Sequence, residues 1–493
     1  MDWTAWALLL AAWVLLSWLY NKWRHNYWAR RGVPSAPATP LFGHMHKLME
    51  NVHFYNDEVY NKYGGSVFSG RYEMFIPVLV VGDPELIKHI TIKDFDHFTD
   101  HRKLHFSSKD NTWRHMLFSA EGDHWKRIRN IMTPSFSSGK IKGMFNLVND
   151  RADAVVKHLM KKSDTNYQFD PSTIFGGFSL DAIASCAFGF ETNTIEDENP
   201  EFKNAVSKFF DMDIWVGLRY LIVSSLPLSV IKFFDLSSFK NDSPEMVYLQ
   251  NIMKQSILLR KEGIPRGDFI DGLLDAQKKH PDIMQMDAIL SQSMLFIFAG
   301  YHTTAVTSSF AAYYIAKHPH YQERLRQELH EKISEHGSFN YQAIMDCTLL
   351  DAVIEETQRM ASIGAFMERE CTKDYKLPNS DVTISKGTVI SIPVWSLHHD
   401  PRYWPEPNTF KPERFFPENK NENTPFTFLP FGTGPRMCIA SRFAQMELKI
   451  LISKLLLSFS LELVPGKEEL QITQFLDMLV PKDLMLAAKP LKK

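Results

Sequence analysis

Hydrophobic and polar positions follow three patterns along this 493-residue chain. Apolar residues are dense and alternate between Gly65 and Asp83, and alternation returns between Asp374 and Asp400, which predicts strands in both places. From about residue 120 to 365 the pattern is typical of helices. A last helix is predicted from near Cys438 to about Leu457. The chain is therefore predicted to be mainly α with a small β region.

The apolar block at the N-terminus differs from the rest because it contains no charged residue. It runs from Trp3 to Tyr20 and, as a helix, would be about 27 Å long, close to the roughly 30 Å core of a bilayer. Basic residues follow it, at Lys22, Arg24, Arg30 and Arg31. The positive-inside rule then places the rest of the chain in the cytosol. We interpret residues 1–22 as a transmembrane anchor. The alternatives are a cleaved signal peptide, which would carry its charges first, and a mitochondrial presequence, which would be Arg-rich.

The segment after this block is rich in proline and basic residues. Between Gly32 and Gly43 three prolines occur within seven residues, which indicates a stiff connection. No repeat, low-complexity tract or long linker follows. We therefore predict a basic, Pro-rich hinge over 23–43 and a single catalytic domain over 44–493.

Composition and charge exclude several classes of protein. The chain is 44% hydrophobic and 23% charged, an ordinary globular balance, and its net charge of −2 argues against a nucleic-acid partner. The cysteines lie far apart without a CxxC pair, which argues against a disulfide framework and against structural zinc. They are Cys186, Cys347, Cys371 and Cys438.

One cysteine has an unusual setting. In "FGTGPRMCIA" two glycines permit tight turns, and Cys438 then comes near the start of the last predicted helix. Amide N–H groups at a helix start stabilise a thiolate. Arg436 is placed to hold an acidic group of a cofactor. A single soft thiolate suits haem iron, because a porphyrin supplies the other in-plane ligands. A buried free cysteine in a turn is the alternative.

This loop resembles the haem-binding loop of the cytochromes P450, and further motifs of that family occur in the same order. They are "HWKRIR" (His124 to Arg129), "FAGYHTT" (Phe298 to Thr304), "IEETQRM" (Ile354 to Met360) and "FKPERF" (Phe410 to Phe415). The closest likeness is to the microsomal, drug-metabolising group of animals, with some insect character. The resemblance implies the P450 fold, with haem between a long distal helix and the helix that follows the cysteine loop.

The resemblance also implies roles for individual residues. Cys438 would be the axial ligand of haem b, and Glu356, Arg359 and Arg414 would form a structural set that fixes the cysteine loop. Residues that would contact the haem, mainly at its propionates, are Trp125, Arg129, Arg369, Phe431, Arg436 and Ala440.

On the distal helix the resemblance implies a site for O₂ and protons. Ala299 and Gly300 would leave room for O₂, and Thr303 would supply a hydroxyl. His302 stands where the family usually has an acid, so either it relays protons as a neutral imidazole or it only packs.

Two further departures affect the pocket. Ala440 replaces a usual glycine, and Ser362 stands where a proline is usual.

The implied activity is a membrane-bound monooxygenase of the endoplasmic reticulum that acts on a lipophilic small molecule. Its electrons would come from NADPH through NADPH–cytochrome P450 reductase, with cytochrome b5 as a second partner. Two alternatives remain open. One is a haem isomerase or dehydratase that rearranges a peroxide, and the other is a non-catalytic haem- or lipid-binding protein.

Overall fold

The computed structural model describes residues 3–106, 111–162, 168–196, 201–210, 219, 223, 228–237, 243–475 and 478–491. Helices dominate, which confirms the predicted fold class. In chain order they are α1 (Trp3–His25), α2 (Met45–Lys62), α3 (Pro84–Lys88), α4 (Asn111–His115), α5 (Gly122–Met132), α6 (Ser138–Gly143), α7 (Phe145–Lys162), α8 (Pro171–Ile183), α9 (Glu201–Phe210), α10 (Leu228–Phe233), α11 (Pro244–Glu262), α12 (Phe269–Lys279), α13 (Met286–Lys317), α14 (Pro319–Glu335), α15 (Tyr341–Met345), α16 (Thr348–Met360), α17 (Val394–His398) and α18 (Ser441–Ser458).

The strands are short and form small sheets. They are β1 (Phe68–Glu73), β2 (Ile76–Val81), β3 (Gln168–Phe169), β4 (Met367–Glu370), β5 (Tyr375–Lys376), β6 (Thr383–Ile384), β7 (Val389–Ile392), β8 (Phe459–Leu463), β9 (Gln471–Phe475), β10 (Met478–Lys482) and β11 (Leu486–Pro490). The largest sheet has the order β1-β2-β7-β4, with β2 and β7 parallel and the other pairs antiparallel. In it, β4 holds Arg369 opposite Ile390.

The segment predicted as a hinge packs against this sheet over part of its length. Trp28 is fully buried, and its indole N–H donates to the Arg71 carbonyl at 3.1 Å. The Trp28 amide donates to the Tyr72 hydroxyl at 3.0 Å, and Val33 and Ala36 are buried as well. The division into anchor, hinge and catalytic domain stays a prediction.

Helix α1 covers the segment predicted as an anchor. Within the residues that the structure describes, none of the helices combines the length and the apolarity needed to cross a membrane.

The predicted elements appear where the local pattern is strong. The early strand region gives β1 and β2, and the last predicted helix is α18, which begins at Ser441 and ends at Ser458. The second alternating region is mixed, because β5, β6 and β7 are followed by the short helix α17. Strands β8 to β11 were not predicted. Of these, β11 pairs with β3, about three hundred residues earlier, and on its other side with β8, so the sheet order is β3-β11-β8. No local pattern signals the pairing of β11 with β3.

The long helix α13 runs through the main hydrophobic core. Its 32 residues span about 48 Å, and most of them are buried against α4, α8 and α18. The close approach of α8 depends on Gly300, since a methyl group there would lie 2.7 Å from Ile183 Cδ1. Its missing side chain therefore admits Ile183, in addition to leaving room in the cavity described next.

Candidate active site

The cysteine loop folds as its glycines require. Gly432 and Gly434 have φ of +73° and +72°, values that favour glycine. Gly434 also passes close to a neighbouring backbone, because a Cβ on it would lie 2.0 Å from the Thr91 carbonyl oxygen. The Cys438 amide donates to the Phe431 carbonyl at 2.9 Å and closes the loop. Helix α18 starts three residues further on, at Ser441.

Cys438 differs from the other cysteines, all of which lie in the described part of the chain. Cys186, Cys347 and Cys371 are buried, whereas Cys438 is accessible from a cavity that it lines. Protein nevertheless surrounds the thiol, and this burial raises its pKa. The Ala440 amide and the charge of Arg129 act in the opposite direction. The helix start therefore favours the thiolate but does not outweigh burial, and a bound cation would be needed to complete the deprotonation.

The cavity has a volume of about 430 Å³ and lies between α13 and α18. Most of the predicted site residues line it, namely Trp125, Arg129, Ala299, Gly300, Thr303, Phe431, Arg436, Cys438 and Ala440. Ser362 lines it too. Arg369 and His302 are not among the lining residues of the described chain, and neither is the set of Glu356, Arg359 and Arg414. Residues from the cysteine loop, α5 and α13 therefore meet at one cavity, whereas Arg369, His302 and the structural set lie outside its lining.

Positive charge gathers at one end of the cavity. The Arg436 guanidinium lies 4.1 Å from the centre of the Trp125 ring and donates to the carbonyls of Thr99 and Ala120. Its Nη2 lies 3.4 Å from Asp100 Oδ1. Burial lowers the pKa of Arg436 to about 9, and Asp100 opposes that shift. A buried cation of this kind favours the binding of an anion beside it.

Arg369 and Arg129 belong to the same cationic group. Arg369 reaches the cavity through His101, whose Nδ1 lies 3.1 Å from Arg369 Nη1. Burial lowers the pKa of Arg369 to about 10, and nothing in the described chain hydrogen-bonds its Nε. Burial also lowers the pKa of Arg129.

His101 lines the cavity and was missed by sequence reasoning. Burial, followed by the charges of Arg369 and Arg436, holds its pKa well below the usual range, so the ring is neutral. Its place depends on a bridge between Asp100 and Glu370 that joins this segment to β4. No local motif marks that bridge.

On the α13 side, Thr303 faces the cavity and its hydroxyl donates to the Ala299 carbonyl at 2.7 Å. The next residue, Thr304, donates to Glu447 Oε2 at 3.2 Å. Glu447 lines the cavity, and burial raises its pKa well above the usual range. It too was missed, although a single acid on the apolar face of α18 was a usable signal.

His302 lies on α13 between Tyr301 and Thr303. Burial lowers its pKa, so the imidazole is neutral near pH 7. Its ring centre lies 6.2 Å from that of Tyr301. Since the side chain is not in the cavity lining, packing has more support here than proton relay.

The structure brings Glu356, Arg359 and Arg414 together. Arg359 Nε and Nη2 donate to the two carboxylate oxygens of Glu356 at 2.7 and 2.8 Å, and both side chains are fully buried. Arg414 Nε lies 3.4 Å from Glu356 Oε1, which is an ion-pair distance without hydrogen-bond geometry. The Lys411 amide donates to the same oxygen at 2.8 Å. Glu356 therefore joins α16 to the segment that carries Arg414.

His398 connects this set to the cysteine loop. Its carbonyl accepts from Arg359 Nη1 at 2.8 Å, and its Nε2 accepts from the Leu429 amide at 2.9 Å. Burial lowers the pKa of His398 to about 3, so the ring stays neutral and can accept. Leu429 lies two residues before Phe431, whose carbonyl closes the loop around Cys438. A continuous path of hydrogen bonds thus runs from Glu356 to the start of the cysteine loop.

The comparison with known families identifies the family to which the chain belongs. The family model described as Cytochrome P450 matches residues 33–488. The chain belongs to the cytochrome P450 family. As a P450 it is a monooxygenase, and the family implies a haem whose iron is held by a cysteine thiolate.

Relatives of this P450 occur in vertebrates and insects. Cytochrome P450 3A41 of Mus musculus is 33% identical over 444 residues, which cover 88% of this chain and 86% of the mouse protein. Cytochrome P450 3A5 of Homo sapiens is 33% identical over 94% of this chain and 91% of the human protein. Cytochrome P450 9e2 of Blattella germanica is 32% identical over 93% and 92%. The likeness to animal drug-metabolising P450s is thereby confirmed.

The residues present suit a haem. An accessible thiol lies just before the start of α18, and three arginines, of which Arg436 has Asp100 as an opposing charge, suit two propionates. The orphaned Nε of Arg369 offers an additional donor for a buried anion.

Proposed function

We propose that this P450 inserts one oxygen atom from O₂ into a lipophilic small molecule, using electrons from NADPH supplied by NADPH–cytochrome P450 reductase, with cytochrome b5 as a second donor. The observation that carries the proposal is an accessible thiol and a threonine hydroxyl on the same cavity, whose other walls are largely apolar. Those walls include Leu117, Phe118, Ile183, Leu295 and Phe296. An apolar wall favours a lipophilic ligand over a charged one.

The side chains divide the work by position. Cys438 would hold the haem iron, and Arg129, Arg369, Arg436 and Trp125 would hold the propionates, with Phe431 and Ala440 against the ring. When bound, the haem supplies the activation of O₂. The chain's part is to exclude bulk water and to hold a hydroxyl, that of Thr303, where protons are needed.

Replacing Thr303 by Val tests the role of the hydroxyl, because Val has nearly the same shape without the oxygen. We expect the product formed per NADPH to fall about tenfold or more, with the balance appearing as hydrogen peroxide, since general acid–base help contributes roughly 10²–10⁴. The measurement counts product, NADPH and peroxide in a reconstituted system with reductase and a panel of lipophilic compounds.

Two variants serve as controls for that experiment. His302→Ala is expected to keep coupling within about twofold, because the ring is not in the cavity lining. A loss as large as that of Thr303→Val would assign the relay to His302.

Cys438→Ser is expected to lose the thiolate-type spectrum and all NADPH-dependent product. If the wild type rearranges a hydroperoxide itself without NADPH, that result would favour the isomerase alternative. Any turnover by the wild type excludes the non-catalytic alternative.

We further propose that the protein resides in the endoplasmic reticulum membrane with its catalytic domain on the cytosolic face. Support comes from the uncharged sequence Trp3 to Tyr20, the basic residues after it and the related animal P450s. We expect the full chain to stay in the membrane pellet after alkaline carbonate extraction, and protease added to intact microsomes to degrade the body of the chain. Release by carbonate would contradict the anchor, and full protection from protease would contradict the orientation.

A further inference from the structure

A buried side-chain amide outside the motifs described above contacts the cavity wall. Gln292 lies on α13, two helical turns before Ala299, and is fully buried. Its Nε2 donates to the His115 carbonyl, and its Oε1 accepts from the Leu117 amide at 3.0 Å. One side chain therefore satisfies two backbone groups of one short segment.

That segment forms part of the cavity wall. Leu117 and Phe118 both line the cavity, and they follow directly after α4. The Leu117 carbonyl accepts from Arg436 Nη1 at 3.4 Å. The Leu117 peptide is thus bonded on its N–H side to α13 and on its carbonyl side to the arginine of the cysteine loop.

We propose that Gln292 is a specificity-determining positioning residue, which fixes the distance of the Leu117–Phe118 wall from the haem and so sets the length of ligand the cavity accepts. A buried amide of this kind has a narrow geometric tolerance, because losing either bond leaves a buried backbone group unpaired. Apolar contacts are not directional. One donated and one accepted hydrogen bond from the same planar amide fix both the position and the orientation of the bonded backbone segment.

A neighbouring amide offers a matched control. Gln250, on α11, donates to the Thr112 hydroxyl on α4 at 3.4 Å. It therefore contacts the same short helix but not the backbone of the wall. Gln250→Leu removes a glutamine contact from α4 while leaving the Leu117 peptide bonded on both sides.

The experiment uses the haem-containing full chain and two nitrogen ligands, imidazole and 4-phenylimidazole. Both bind haem iron and shift the Soret band, but the larger one fills more of the cavity and would be the one to contact the Leu117–Phe118 wall. In Gln292→Leu we expect the ratio of the two dissociation constants to change about tenfold, because two buried bonds are lost, and in Gln250→Leu to stay within about twofold. Backbone hydrogen exchange over residues 111–120 should become faster in the first variant only.

An unchanged ratio in a folded, haem-loaded Gln292→Leu protein would overturn the inference, because a merely structural role lowers the melting temperature without separating the two ligands. Should that variant not fold, Gln292→Met keeps a side chain of similar length without the donor for His115 or the acceptor for Leu117, and a change in the same ratio is again expected. In the wild type, 4-phenylimidazole should slow exchange over 111–120 and imidazole should not; equal effects would also contradict the inference.

The inference rests on the proposed function only in taking the cavity as the ligand site. Ligand titrations need no turnover. A wild type that binds both ligands but forms no product from O₂ and NADPH would contradict the proposed function while leaving the role of Gln292 standing.

Discussion

Arg359→Ala should abolish stable haem incorporation. Within the described chain, the change leaves the fully buried Glu356 carboxylate with Arg414 at 3.4 Å and one backbone N–H as partners, and it removes the bond to the His398 carbonyl. Breaking a buried pair costs about 3–5 kcal/mol, a large share of the roughly 5–15 kcal/mol that stabilises a typical domain. The measurement is the Soret absorbance per mole of purified protein, together with the thermal unfolding midpoint.

Two variants show that the effect belongs to the buried pair. Arg324→Ala breaks an exposed ion pair with Glu413, at 3.0 Å, and should cost no more than about 1 kcal/mol. Arg359→Lys keeps the charge but cannot bind both carboxylate oxygens in a fork, so it should resemble the alanine variant more than the wild type. A haem-loaded Arg359→Ala protein with a normal unfolding midpoint would show that the pair does not fix the cysteine loop.

Gly434→Ala should also prevent haem binding through Cys438, by a different route. The new methyl group would lie 2.0 Å from the Thr91 carbonyl oxygen, and a backbone atom cannot move aside as a flexible side chain can. The left-handed φ of +72° adds about 1–2 kcal/mol of strain. The loop must shift, and the thiol shifts with it. The ferrous carbon-monoxide spectrum reports whether a thiolate still binds the iron.

Gly432 in the same loop separates strain from collision. Its φ of +73° is almost the same, but the nearest atom to an added methyl is Met437 Cα at 3.9 Å. Gly432→Ala should therefore lose about 1–2 kcal/mol of stability and keep the thiolate spectrum. Equal loss of the spectrum in both variants would mean that backbone strain, and not the contact with Thr91, decides the position of Cys438.

Sequence reasoning succeeded where the chemistry is local. The cysteine loop could be predicted because its turn residues, its arginine and its thiol lie within ten residues. The Glu356–Arg359 pair could be predicted for the same reason, since residues at i and i+3 share one face of a helix. The elements around them, β1, β2 and α18, carry strong apolar patterns and formed close to their predicted positions.

The residues that sequence reasoning missed belong to contacts between distant segments. His101 reaches the cavity through a bridge to β4, some 270 residues later. Glu447 meets Thr304 across the α13–α18 contact, and Gln292 meets the segment after α4. For His101 and Gln292 only the tertiary fold supplies the partner, so no local pattern marks them as residues of the cavity wall. Glu447 differs, because a single acid on the apolar face of α18 was a usable signal.

Residues 24–36 pack on β1 and on the turn that follows it. This packing makes the connection between α1 and the rest of the protein rigid. Arg24 donates to the Phe75 carbonyl at 2.7 Å, the His25 ring bonds the Met74 carbonyl at 2.8 Å, and Trp28 fills the space that a side chain at position 70 would need. These contacts fix the C-terminal end of α1 relative to the β1–β2 hairpin. We therefore expect a tilt imposed on α1 to be passed to the β1–β2 hairpin and not taken up at the junction. Shortened chains that begin after Trp28 lose this rigid connection and have a cavity the size of a tryptophan side chain beside β1. Chains that begin near residue 23 keep the contacts of Arg24, His25 and Trp28.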